Sequence, residues 1–304
     1  TQGRGYWILD DIGILRQLSS ETLADDHRLF SPSVSYRLSS GYVENPTHMG
    51  QNPPAGVRLR YWLSHGLTAD DEFSLKIYDA DDNLIRDYTT LPEKVVGQSD
   101  DYKAWGEDPR LLKAEAGLND FVWDLSYPAA GRFKGLVLWN DDLDGPKAVA
   151  GEYSAELTVN EWKQRVRFEV RADPRLSITQ EEYLAQFSFV QATRDLLNEI
   201  HLTIRDLRRL RDKLRTVQER VEDNTEYSEL FDLGEVMIEN LNEIEQALYQ
   251  TRLDSPQDPL NYPIRINDKL AGLKSLAAYG DHAPTESMLM VKTKLERESR
   301  ALLD

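Results

Sequence analysis

The sequence predicts a multi-domain chain, β first and α second: an antiparallel β-sandwich followed by an antiparallel helical bundle. Three observations carry this expectation. Up to about Arg171 apolar and polar residues alternate; after Thr179 apolar residues recur mostly every three or four positions. Turn-forming clusters punctuate the first part at short intervals. Ala172-Asp173-Pro174-Arg175 stands where the period changes, and Pro174 blocks extension of a strand ladder. A chain of 304 residues with 40% apolar side chains has material for two or three domains with real cores. The charged fraction of 29%, with Gly and Pro confined to punctuation, argues against disorder.

Thr1 to Asp11 reads as one strand, with Tyr6, Trp7, Ile8 and Leu9 after a glycine turn. A lone strand leaves its backbone groups unpaired, so the chain is expected to open where a preceding β-domain closes. Further on, Val57, Leu59, Tyr61 and Leu63 take one face of a strand against Arg58, Arg60 and Ser64. Phe73, Leu75 and Ile77 repeat that alternation, as do Phe121, Trp123 and Leu125. Tyr153, Ala155, Leu157 and Val159 follow, then Val166, Phe168 and Val170. Period two marks half-buried strands. Turn signals separate them at Asn52-Pro53-Pro54-Ala55-Gly56, Asp79-Ala80-Asp81-Asp82-Asn83, Asp144-Gly145-Pro146 and Val159-Asn160-Glu161-Trp162. About seven short strands at this spacing suggest an immunoglobulin-like sandwich. The less regular stretch from Leu91 to Gly117 reads as a surface excursion.

Thr179 and Glu182 have capping-box spacing. Phe187, Val190, Leu197, Ile200, Ile204, Leu207, Leu210, Leu214, Val217 and Val221 then predict one amphipathic helix of about 40 residues. A second stripe runs Leu230, Leu233, Met237, Leu241, Ile244, Leu248. A third carries Ile266, Leu270, Leu273 and Ala277, with Gly280 as its stop, and a fourth Met288, Val291, Leu295 and Leu302. Short connections predict antiparallel neighbours in a bundle; an intermolecular coiled coil is the alternative, which the helix-stop signals disfavour. The expected limits are 1–27 for the strand remnant and linker, 28–173 for the sandwich and 174–304 for the helices.

The net charge of −17 disfavours nucleic acid and anionic membrane as partners, since both need a positive surface. With no cysteine there are no disulfides, thiolate metal sites or cysteine nucleophiles. No apolar run approaches the ~20 residues of a membrane span.

Several segments together resemble one family. Thr1 to Asp11 resembles the closing strand of a sortilin-like β-propeller, of the bacterial type often labelled glycosyl hydrolase with BNR repeats. Gly117-Leu118-Asn119-Asp120-Phe121-Val122-Trp123-Asp124-Leu125 is similar to the stretch that follows such propellers, and Gly151 to Val159 to a strand of their sandwich domain. Asp173-Pro174-Arg175 resembles the exit into helices, and Leu260-Asn261-Tyr262-Pro263-Ile264-Arg265-Ile266-Asn267-Asp268-Lys269-Leu270 their helical tail. The resemblance covers nearly the whole chain. It implies the C-terminal region of such a protein, with the propeller absent and the hydrolase label belonging to that propeller. No catalytic residue is carried over. It also implies a periplasmic or secreted setting.

Candidate site residues are few. Asp79, Asp81, Asn83 and Asp87 alternate as in a calcium loop, but Leu84 and Thr90 stand where an EF-hand needs Gly and Glu. A hairpin whose side chains satisfy local amides is the preferred reading; calcium stays the alternative, here and at Asn140-Asp141-Asp142-Leu143-Asp144-Gly145. Trp62, Trp105, Trp139 and Trp162 are candidates for stacking on sugar rings, against the ordinary reading that they pack on neighbouring protein. His27, His48, His65, His201 and His282 show no metal-ligand spacing. No GxSxG elbow or GxxxxGK[ST] loop is present. Arg205, Arg208, Arg209, Arg211, Lys213 and Arg215 form a basic run, read as an interhelical charge seam with Glu235, Glu239, Glu243 and Glu245.

The function expected is non-catalytic: an accessory region that packs on its own upstream propeller and mediates protein interaction or self-association through its helices. The alternatives are a fragment of a glycan-processing hydrolase whose catalytic propeller is missing, and a carbohydrate-binding sandwich.

Overall fold

A computed structural model describes residues 11–22, 24–38, 54–90, 111–140, 142–221 and 224–303. Almost all of the expected opening strand, Trp105, Asp141 and the excursion as far as residue 110 lie outside the described residues. Strands fill the N-terminal part: β1 (His27–Leu29), β2 (Ser35–Arg37), β3 (Val57–Leu63), β4 (Phe73–Tyr78), β5 (Leu84–Thr89), β6 (Gly117–Trp123), β7 (Gly151–Val159) and β8 (Trp162–Ala172). Helices follow: α1 (Gln180–Val221), α2 (Ser228–Leu248), α3 (Ile266–Ala278) and α4 (Glu286–Leu303). The β-then-α order is as the periodicity predicts. Among the described residues no helix is long and apolar enough to cross a membrane.

The strands form a three-stranded sheet, β1-β3-β6, and a five-stranded sheet, β2-β8-β7-β4-β5. β3 alternates as expected, with Val57, Leu59, Tyr61 and Leu63 buried and Arg58 and Trp62 exposed. β7, the central strand of five, is buried on both faces over most of its length. One expectation needs correction: the sheets are not wholly antiparallel. β2 runs parallel to β8, with Ser35 level with Val170. Parallel pairing needs a long crossover, and most of the β half lies between these two strands. β1 and β2, of three residues each, are too short to show an alternation in sequence.

Residues from both sheets share one apolar core. Trp123 of β6 meets Tyr153 of β7 edge-on at 5.4 Å between ring centres, and Tyr61 of β3 meets Phe73 of β4 at 5.7 Å. Gly56 opens β3 at φ +120°, and a Cβ there would lie 2.1 Å from the Trp123 carbonyl oxygen. Only glycine fits. At the exit, the Asp173 carboxylate accepts the Arg175 backbone N–H at 2.9 Å and its Nε at 2.8 Å. This turn accounts for the Asp-Pro-Arg pattern. The Arg175 side chain holds the Asp173 carboxyl down at about 2.

In the helical unit, α1 starts directly after Thr179 and spans 42 residues. It pairs with α2 in the opposite direction: Gln218 reaches the Phe231 carbonyl and Glu235, while Arg211 reaches Asn242 and Glu245. α3 stops before Gly280, at φ +75°. Gln186 of α1 donates to the freed Ala277 and Gly280 carbonyls. Ala129–Pro146, expected within the 28–173 domain, groups with the helices in the structure. Ala130, Phe133, Leu136, Leu138 and Leu143 pack into the same core as Leu197, Ile200, Leu248 and Leu270. These loop residues follow no strand or helix period, so the sequence gives no sign of their partner.

Candidate functional site

Buried polar groups are the usual mark of chemistry or of a demanding fold. In the helical unit they gather around the 129–146 loop. Asp268 of α3 is buried, and its carboxylate accepts the Trp139 N–H at 2.7 Å and the Asn140 N–H at 3.3 Å. Six residues on, the fully buried Lys274 donates to the Asp142 carboxylate and the Asp144 carbonyl, both at 2.8 Å. Tyr249 donates to the Gly135 carbonyl at 3.0 Å and accepts the Val137 N–H at 3.2 Å. The loop has no ladder to satisfy its backbone, so side chains from the helices do it.

His201 of α1 belongs to the same set. Its Nδ1 lies 2.6 Å from the Gly131 carbonyl, and Phe133 meets its ring edge-on at 5.1 Å. Its Nε2 faces the Asn267 amide nitrogen at 3.5 Å. Nδ1 therefore donates and Nε2 accepts, which is the neutral imidazole. Burial pushes its pKa down to about 4. The group is held neutral and fixed by both nitrogens.

The basic run of α1 partly forms the expected seam. Arg208 and Arg211 each meet one oxygen of the buried Glu245 at 2.7 Å. Arg208 also donates to the Lys134 carbonyl and lies 4.7 Å from the centre of the Phe133 ring. Glu235 takes Gln218 instead of an arginine. The charges engaged at this seam are thus structural.

Trp62 and Trp139 are exposed, at 37% and 47%, but belong to different units. Trp162 packs on the β core and meets His27 edge-on at 5.6 Å. In the Asp79 turn, one Asp79 oxygen accepts the Asp81 N–H at 3.0 Å and the Asn83 N–H at 2.8 Å, so this carboxylate serves its own hairpin. In the second acidic loop, Asp142 serves Lys274 and the Asp144 N–H. Among the described residues no three His, Cys, Asp or Glu side chains are grouped to hold a metal ion. Sequence reasoning missed the pairing of His27 with His65, ring centres 5.5 Å apart. The β1–β3 register sets His27 opposite Leu63, two residues before His65, and spacing carries no trace of it. A hollow among Asp11, Phe30, Ser33 and Arg60 has a volume of 10 Å³, room for about one water.

The other unusual feature is apolar. Leu210 and Val217 on α1 and Leu230, Leu233 and Met237 on α2 are between 39% and 56% exposed. These residues belong to the periodic stripes that predicted the helices. Comparisons with protein-family models, with curated proteins and with solved structures find no match.

Proposed function

We propose that this chain is a non-catalytic interaction region: an immunoglobulin-like sandwich and an antiparallel helical bundle that pack on a sortilin-like β-propeller and mediate protein assembly. The observation that carries the reading is the division of labour in the helical unit. Its buried titratable groups, Asp268, Lys274, Glu245 and His201, are each tied to loop backbone or to an ion pair. The apolar surface that stays exposed is of the kind used for binding protein. The propeller partner and an exported setting rest on the resemblance in the Gly117–Leu125, Asp173–Arg175 and Leu260–Leu270 segments.

The test is titration of the chain with a separately produced sortilin-like propeller, alongside assay against a glycan panel. A saturable complex and no release of reducing sugar are expected. Turnover that a single carboxylate substitution abolishes would replace this reading with the hydrolase one. The exposure of Trp62 and Trp139 supports carbohydrate binding as a second reading; glycan-array signal lost on Trp62→Ala would favour it.

A further inference from the structure

We infer that the α1–α2 hairpin is a self-association surface, and that two copies of this chain pair through it with their hairpins face to face and pointing the same way. The inference deepens the interaction-region reading and rests on it. Three observations support it.

The first is the unpartnered apolar face. Beyond Ile204, Gln218 is the one buried side chain of α1 among the described residues. The α1–α2 seam is made by Arg211 and Gln218 against Gly234, Ile238 and Glu245. Leu210, Val217, Leu233 and Met237 stay exposed outside it.

The second is geometry. At about 100° per residue, Leu210, Leu214 and Val217 lie roughly 60–120° round α1 from its seam, and Leu233 and Met237 roughly 60–100° round α2 from Gly234, in the same rotational sense. In an antiparallel pair, the same sense puts both stripes on one face. The hairpin therefore carries a single apolar face, about 10 Å long along α1. Such a face is small for an interface, so the association is reversible.

The third is charge, which identifies the occupant. α2 contains Glu229, Asp232, Glu235, Glu239, Glu243 and Glu245 and no basic residue. On the facing half of α1, Arg208 and Arg211 are engaged by Glu245, while Arg209, Lys213 and Arg220 lie towards the outer edge of the apolar face, as Glu229, Asp232 and Glu243 do on α2. A second copy offers the complement of both helices. A two-fold axis across the hairpin stacks α1 on α1 and is repulsive. An axis along the hairpin stacks each α1 on the other copy's α2. The seam contacts then bring Arg220 of one copy level with Asp232 of the other, both at the outer edge of the face.

The experiment is sedimentation equilibrium from micromolar to millimolar concentration. The chain is expected to pass from monomer to dimer, and the dimer to weaken with added salt. Leu233→Lys should weaken it by roughly a hundredfold or more, since symmetry counts the change twice. Its circular dichroism should match the parent, because Leu233 is exposed. Arg220→Glu should weaken the dimer several-fold, and adding Asp232→Lys should restore it. Cysteine at Asn224, in a chain that has none, should link two copies through a short bis-maleimide. A monomer at every concentration overturns the inference and leaves propeller binding untouched. A dimer indifferent to Leu233→Lys, or one that Asn224→Cys fails to link, overturns the surface or the alignment.

Discussion

The two halves of α1 look alike in sequence and differ in what they touch. From Tyr183 to Ile204 the helix buries a side chain at nearly every turn, including Leu196, Leu197 and Ile200. From Arg205 to Val221 the apolar period continues, yet Leu210 and Val217 stand exposed. The first half is covered by the 129–146 loop and the core around α3; the second has α2 beside it, joined largely through polar and small residues. An apolar stripe thus specifies that a helix has a face to cover, and leaves open what covers it.

The largest effect that tests this contrast is a pair of truncations. Ile200→Ala, at a fully buried position, should cost about 2–5 kcal/mol. Leu210→Ala should change the stability of dilute protein by about 0.5 kcal/mol or less. Urea unfolding followed by helical circular dichroism measures both. Equal costs would mean that the two halves are equally packed, and would break the comparison.

Acid should separate the halves next. His201 has a folded pKa of about 4 against an ordinary 6.5. Below pH 6.5 the unfolded chain therefore binds more protons than the native one, and stability falls as pH falls. The His201 contribution is whole above about pH 6.5 and declines through about pH 4, by about 3 kcal/mol in all. His201→Gln should remove this limb. Amide exchange along α1 should show the loss before Ile204, where the imidazole holds Gly131 and borders Phe133, and little change beyond it.

What the sequence made legible follows the same line. The four helices and the long strands came from period and punctuation, because each repeats one local rule. The β-then-α order followed from the change of period. The 129–146 loop stayed invisible as part of the helical unit: Asp268 and Lys274 read as ordinary polar residues of a helix whose stripe is Ile266, Leu270, Leu273 and Ala277. Their burial is set by Trp139, Asn140 and Asp142, far away in sequence. The parallel β2–β8 pair was hidden for the same reason. The Asp79 turn was legible, because a carboxylate serving amides two and four residues on is a local rule too.

The smallest effect is the sharpest check on the seam. Gly234 sits inside α2, where glycine costs about 1 kcal/mol relative to alanine. A Cβ there would lie 3.0 Å from the Gln218 side-chain nitrogen and 3.2 Å from two of its carbons. Those atoms are the far end of a flexible side chain, so they can move. Moving them lengthens the Gln218 bonds to the Phe231 carbonyl and Glu235, at 3.1 and 2.8 Å. A hydrogen bond contributes about 1 kcal/mol net. Gly234→Ala should therefore leave stability within about 0.5 kcal/mol of the parent, two opposed effects of similar size. Removing Gln218 first separates them: in a Gln218→Ala background the same Gly234→Ala change should stabilise by about 1 kcal/mol. If it stabilises equally in both backgrounds, Gln218 does not hold this part of α1 to α2, and the stripe of Leu210 and Val217 is closer to the seam than the geometry places it.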